Sequence, residues 1–256
     1  MLLVTLSYFK MIQIIRKEDC CGCHACVSIC PRKCISMRED AEGFLYPRVD
    51  GGQCVDCHLC EKVCPVILSS LKSGGREKVG FLEIPVVYAA QCRDDELRMS
   101  SSSGGIFSVL ALQVIKEGGV VFGARWSDDF FEVQHGWTDR PEELASFRGS
   151  KYLQSRVGGA FKEVRKFLSE GRQVLFTGTP CQVAGLKRFL RGKDEGLFAV
   201  AIACHSTPSP KVWRTFLQNL KRRTGFTKLT EVDFRKKNVF HSDCSGFYMA
   251  GDAGSY

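Results

Sequence analysis

Two runs of cysteine in the first quarter of the chain leave few folds open to it. The first reads Cys20-Cys21-Gly22-Cys23-His24-Ala25-Cys26-Val27-Ser28-Ile29-Cys30-Pro31, and the second Cys54-Val55-Asp56-Cys57-His58-Leu59-Cys60-Glu61-Lys62-Val63-Cys64-Pro65. Both carry the spacing Cys-x2-Cys-x2-Cys-x3-Cys-Pro, the bacterial pattern for [4Fe–4S] ligation. Three close thiolates grip one cube while the fourth cysteine of each run ligates the other. The predicted sets are therefore Cys20, Cys23, Cys26 and Cys64 on one cluster, and Cys54, Cys57, Cys60 and Cys30 on the second. Each proline is expected to end the short helix after the third cysteine, since it has no N–H and restricts its predecessor.

Two other uses of cysteine fit less well. Zinc takes four ligands, usually as two Cys-x2-Cys pairs around a spacer, and the 2-2-3 spacing closed by proline suits it poorly. A disulfide framework needs an oxidising compartment. Residues 1–9 are apolar but lack a basic n-region and a small-residue cleavage site. Met11-Ile12-Gln13-Ile14-Ile15 is a more natural start, so residues 1–10 read as an upstream extension. Fourteen cysteines then point to a reducing cytoplasm. Cys21 and Cys34 stand outside both motifs and read as packed or exposed spare thiols.

Composition matters here mainly for what it excludes. No run approaches the roughly 20 apolar residues of a membrane span. The formal charge of +8 is spread over scattered Lys and Arg. That suits a solvated surface or an acidic redox partner better than nucleic acid. Ligating thiolates and their clusters would reduce it by roughly four.

Between the motifs, Cys34 to Met37 and Phe44 to Val49 predict two short strands around an Asp/Glu/Gly turn. Ser69 to Lys78 shifts to Ser, Gly and charge and reads as a linker. Strands and helices alternate after it. Val86 to Ala90, Val120 to Ala124, Phe131 to His135, Gln173 to Phe176 and Leu197 to Ala203 read as strands. Gly105 to Glu117, a start at Asp139-Arg140-Pro141, Gly159 to Ser169, Pro180 to Leu190 and Ser209 to Arg222 read as helices. The expected fold is an α+β ferredoxin-like two-cluster domain followed by an α/β domain with a largely parallel sheet. The expected boundaries are a lead at 1–17, the cluster domain at 18–68, a linker at 69–84, the α/β domain at 85–222 and the start of a further part at 223–256.

Ligands in such sheets sit beyond the carboxyl ends of strands. Thr177-Gly178-Thr179-Pro180-Cys181-Gln182 lies at one such place, with hydroxyls, a glycine and a helix start that favours phosphate. It lacks the Gly-Lys-Ser/Thr of a Walker loop, and a plain turn explains it as well. Cys204-His205-Ser206-Thr207-Pro208-Ser209-Pro210 occupies another. Ser102-Ser103-Gly104-Gly105 opens a helix and reads either as a cap in a surface loop or as an anion nest. Gly149-Ser150-Lys151-Tyr152 adds a cation and an aromatic. Adjacent residues point apart, which argues against a Cys204–His205 nucleophile and base.

SSSGGIF, GSKYLQS, LFTGTPCQVAGL and CHSTPSP, behind the double cysteine motif, resemble the coenzyme F-420 hydrogenase/dehydrogenase beta-subunit family over roughly residues 18–240. The resemblance implies a flavoprotein carrying FAD and [4Fe–4S] clusters that passes electrons between a two-electron carrier and one-electron centres. Ser102 to Gly105, Gly149 to Tyr152 and Thr177 to Gln182 would then lie around the flavin. Cys181 and Cys204 would contribute to a third cluster held by some members. Two departures follow: Ser206 stands where the family usually has Gly, and relatives continue past Tyr256 with further cysteines. A third cluster would need Cys92 or Cys244. The implied role is an electron-transfer oxidoreductase working with a redox partner protein or other subunits. The competing expectations are a flavin-free relay subunit and a non-enzymatic module with structural clusters.

Overall fold

The structure, a computed structural model, describes residues 12, 17–67, 85–237 and 245–255. The linker expected at 69–84, the start at Met11 and Cys244 lie outside these residues.

The two cysteine loops are built alike. Each third cysteine sits in a short helix, Cys26 in α1 (Ala25–Ile29) and Cys60 in α2 (Leu59–Lys62). Each helix is entered through a left-handed histidine, His24 at φ 64 and His58 at φ 54. Gly22 and Asp56, two residues before them, are left-handed too, so both loops curl at matching places. Cys30 is extended before Pro31, and α1 stops there. Pro65 behaves otherwise: residues 65–67 are helical, so it opens a turn, where its missing N–H costs nothing.

The hairpin between the loops pairs β1 (Ile35–Glu39) with β2 (Leu45–Val49), from Ile35↔Val49 to Glu39↔Leu45. Asp40 closes its turn, accepting from the Glu42 and Phe44 amides at 3.0 and 2.9 Å.

The central sheet has the order β4-β3-β5-β6, from β3 (Val120–Trp126), β4 (Val133–Thr138), β5 (Val174–Gly178) and β6 (Leu197–Ala201). β3, β5 and β6 run parallel, but β4 is antiparallel to β3. The sheet is therefore mixed, three parallel strands with an antiparallel edge strand. The connection from β3 to β4 is a tight turn braced by Ser127 and Asp129, too short for the crossover a parallel strand needs. Alternate residues of the central strands face opposite layers. Val120, Phe122, Val174 and Phe176 meet α5 (Ala160–Ser169) and α6 (Pro180–Leu190), while Val121 and Leu175 meet α4 (Ile106–Lys116).

Two expected elements differ. Val86 to Ala90 is not a strand: Val86, Val87 and Tyr88 are 74–86% exposed, and none of them pairs with a described strand. Apolar, β-branched residues alone do not make a strand without a neighbour to receive its hydrogen bonds. Pro141–Phe147 forms a 3-10 helix, and Asp139 does not cap it but accepts from Arg172 at 3.1 Å. Before α4 lies the short α3 (Asp95–Met99), capped by Asp94.

Helix α7 (Pro210–Thr224) and the antiparallel sheet of β7 (Leu229–Lys237), β8 (Ser245–Gly251) and β9 (Gly254–Ser255) share a core through Trp213, Leu217, Leu229 and Met249. Val133 and Leu153 join it, so this part packs directly on the central domain. No helix among the described residues is long and apolar enough to cross a membrane.

The cysteine loops are seated on this framework. Cys23, Ala25 and Val63 belong to the same apolar core as Phe122 and Phe176. On the other side the β1–β2 turn rests on the start of α7. Ser209 donates to Glu42 O at 2.6 Å, Lys211 to Ala41 O at 2.7 Å, and Arg214 forks onto both Glu39 oxygens at 2.8 and 2.7 Å. Gly43, at φ 88, sits where an added Cβ would lie 2.1 Å from Lys211 Cβ.

Candidate functional site

Folding the two loops side by side creates two cavities, and each takes cysteines from both runs. One is lined by Cys20, Cys23, Cys26 and Cys64. The other is lined by Cys30, Cys54, Cys57 and Cys60. Ile12 touches both and Cys21 borders the first, while Cys34 borders the second. In the first, or inner, cavity Cys23, Cys26 and Cys64 are buried; in the second, or outer, one Cys57 is exposed and Cys54 and Cys60 are half-buried.

The donor set is sulfur-rich and crosswise. Among the described residues no three His, Cys, Asp or Glu side chains converge as ligands of a single ion would. Four motif sulfurs line each of two spaces, and a four-iron cube takes four thiolates. Burial pushes the Cys26 thiol up to about 12 and raises Cys20 and Cys60. Bare, these groups stay protonated. A thiophilic metal displaces those protons, so occupancy and stability are coupled. Cys30 is the exception: burial opposes its ionisation, but the Cys34 hydrogen bond and neighbouring amides outweigh it and hold the thiol below its usual value.

Helix α6 closes the inner cavity from behind. An added Cβ on Gly185 would lie 3.0 Å from Cys23 Sγ and 3.2 Å from its Cβ, so only glycine allows this approach. At the start of the same helix Cys181 lies beside Cys21 and 3.1 Å from Thr179 Oγ1.

The three expected cofactor segments have different fates. Ser102 Oγ accepts from the Ser150 amide at 2.7 Å, bringing the Ser102–Gly105 and Gly149–Tyr152 segments together. Lys237 donates to Ser103 O at 2.7 Å, and Gly105 (φ 77) and Gly149 (φ 84) are left-handed. Lys151 does not reach outward. Its amine donates to the carbonyls of Phe147, Arg148 and Gly149 at 3.3, 2.8 and 3.2 Å. Burial pushes its pKa down to about 8, with Asp233 opposing. Tyr152 is half exposed, its ring edge-on to Phe234 at 5.4 Å. Thr177 to Gln182 is tied inward: Thr177 donates to Phe122 O at 2.9 Å, and Thr179 and Gln182 form a capping box at Pro180. Gly178 and Pro180 complete this turn at the carboxyl end of β5. Cys204 and His205 lie exposed in the loop before α7, while Cys181 lies beside Cys21 and Thr179.

Sequence reasoning missed a polar relay behind this turn. Gln182 Nε2 donates to Ser155 Oγ at 2.8 Å, and Ser155 Oγ lies 3.3 Å from His135 Nδ1. His135 stacks on Phe176 at 5.4 Å, and burial drives its pKa down to about 4. Its Nε2 and that of His24 are buried with no hydrogen-bond partner among the described residues, and the two imidazoles are close enough to influence each other. Only the fold assembles this set, since the residues are scattered from 24 to 182.

Comparisons with known proteins agree with the layout. Residues 19–67 match the model of the 4Fe-4S dicluster domain. Residues 87–162 match that of the coenzyme F420 hydrogenase/dehydrogenase beta subunit N-term, and residues 171–246 that of its C terminus. No curated protein sequence matches the chain. Among solved structures, a chain of the F420-reducing [NiFe] hydrogenase complex from Methanosarcina barkeri is similar over 65% of this chain, at 17% identity and a TM-score of 0.44. This chain spans 58% of the length of that one. The two beta-subunit models together take in more than half of the sequence: the chain belongs to the coenzyme F420 hydrogenase/dehydrogenase beta-subunit family and carries an amino-terminal 4Fe–4S domain.

Proposed function

We propose that this chain is an electron-transfer subunit of an oxidoreductase, with two [4Fe–4S] clusters held by Cys20, Cys23, Cys26 and Cys64 and by Cys54, Cys57, Cys60 and Cys30. The crosswise lining of the two cavities carries the reading. Bound there, such clusters supply single-electron steps, and FAD or a deazaflavin would supply two-electron exchange. The protein's part is to fix distance, exclude water and tune polarity. The inner site is walled by α6 and the shared core; the outer one lies close to solvent.

FAD belongs, in this reading, against the joined Ser102–Gly105 and Gly149–Tyr152 segments, with Thr177 to Gln182 at the adjoining strand end. Gly104 and Gly105 pack closely on Ala90 to Cys92 there, and Tyr152 offers an exposed ring. A redox partner protein or further subunits would receive the electrons. One observation favours a flavin-free relay instead: the Lys151 amine is already taken by three carbonyls of its own loop.

Purification without oxygen tests both readings. The proposal expects about eight iron and eight sulfide per chain and a broad absorbance near 400 nm. Extractable flavin supports the first form, and its absence from iron-replete protein supports the relay. A chain lacking iron and sulfide under these conditions would sink the proposal.

A further inference from the structure

Cys34 is spare by spacing but not by position. It lies just before β1, buried, and borders the same cavity as Cys30, Cys54, Cys57 and Cys60. Its Sγ is 3.4 Å from Cys30 Sγ. The backbone holds it there. Lys33 turns left-handed at φ 54, its amide donates to Cys30 O at 3.3 Å, and Cys34 O accepts from the Asp50 amide at 2.8 Å. Five sulfurs thus face a space that needs four.

We propose that the Cys34 thiol donates its S–H to the Cys30 sulfur and thereby raises the reduction potential of the outer cluster. The inference rests on the reading that Cys30, Cys54, Cys57 and Cys60 hold that cluster. The direction of the hydrogen bond follows from it. A ligating Cys30 has no proton, so the proton shared by the pair belongs to Cys34. A donor to a ligating sulfur withdraws electron density from the iron and stabilises the more negative, reduced state.

Two substitutions, Cys34→Ala and Cys34→Ser, test this, with iron and sulfide content and an anaerobic redox titration followed by electron paramagnetic resonance. Both variants should keep the iron of the unmutated chain. The Cys34→Ala midpoint should fall, while Cys34→Ser, whose hydroxyl still donates, should stay near that of the parent. An unchanged Cys34→Ala midpoint overturns the inference. Loss of about half the iron in Cys34→Ala overturns it too, because Cys34 would then be a ligand. An iron-free parent chain would remove the underlying site as well, which separates the two failures.

Discussion

Cys21 and Cys181 bring their thiols close enough across the seam between the first cysteine loop and helix α6 for each to shift the other's ionisation. The pair sits beside Cys20, so it reports on how the loop is seated. For Cys21 the Cys181 thiol lowers the pKa, but the Cys23 thiol and burial outweigh it and leave Cys21 at about 12. The Cys21 thiol and burial raise Cys181. Both are protonated at neutral pH, and the thiolate is the nucleophile. Alkylation of the native chain at pH 8, read by peptide mass, should mark exposed Cys204 at least about tenfold faster than either. Equal labelling would mean that the seam opens.

Cys64 belongs to the second run in sequence but to the inner cavity in space. Cys64→Ala should cut iron from about eight to about four per chain. The signal that remains should match that of Cys20→Ala and differ from that of Cys57→Ala. If Cys64→Ala and Cys57→Ala leave the same signal, the crosswise assignment is wrong.

Gly185 faces Cys23 where α6 passes the first loop. Enlarging it forces helix and loop apart. Gly185→Ala should weaken iron retention in the inner site, and Gly185→Val should go further, costing about 1–3 kcal/mol in urea denaturation. A Gly185→Val chain with parental stability and full iron would show that the loop shifts freely.

His135 gives the chain an acid sensitivity. Its folded pKa, about 4, lies below the ordinary 6.5 because burial opposes its charge. Between those values the unfolded chain binds the proton and the folded one does not, so stability is full above about 6.5 and declines as pH falls toward 4. At about 1.4 kcal/mol per unit, the loss is about 3 kcal/mol at most. Urea midpoints at pH 7 and pH 5 should differ less in His135→Phe than in the parent. Parallel declines would mean that another group governs the effect.

The crosswise placing of the eight motif cysteines at the two cavities was readable because their spacing along the chain is regular. Helices α4 to α7 were readable for a similar reason: Gly105, Gly159, Thr179 and Ser209 mark their starts in the sequence. What escaped depends on neighbours distant in sequence. The direction of β4 hinges on a tight turn, and Val86 to Ala90 has strand residues without a partner strand. Cys21 and Cys34 match no spacing, and only the folded loops place them at the cavity walls. The Gln182–Ser155–His135 relay joins three elements whose residues carry no common motif.

The burial contrast between the two sulfur-lined cavities gives the molecule a front and a back. Cys57 and its neighbour Val55 stand at the surface, whereas Cys23 and Cys26 are enclosed beneath a helix and a sheet. In the proposed reading, a redox partner that collides with this chain meets the loop around Cys57 before it meets Cys23 or Cys26.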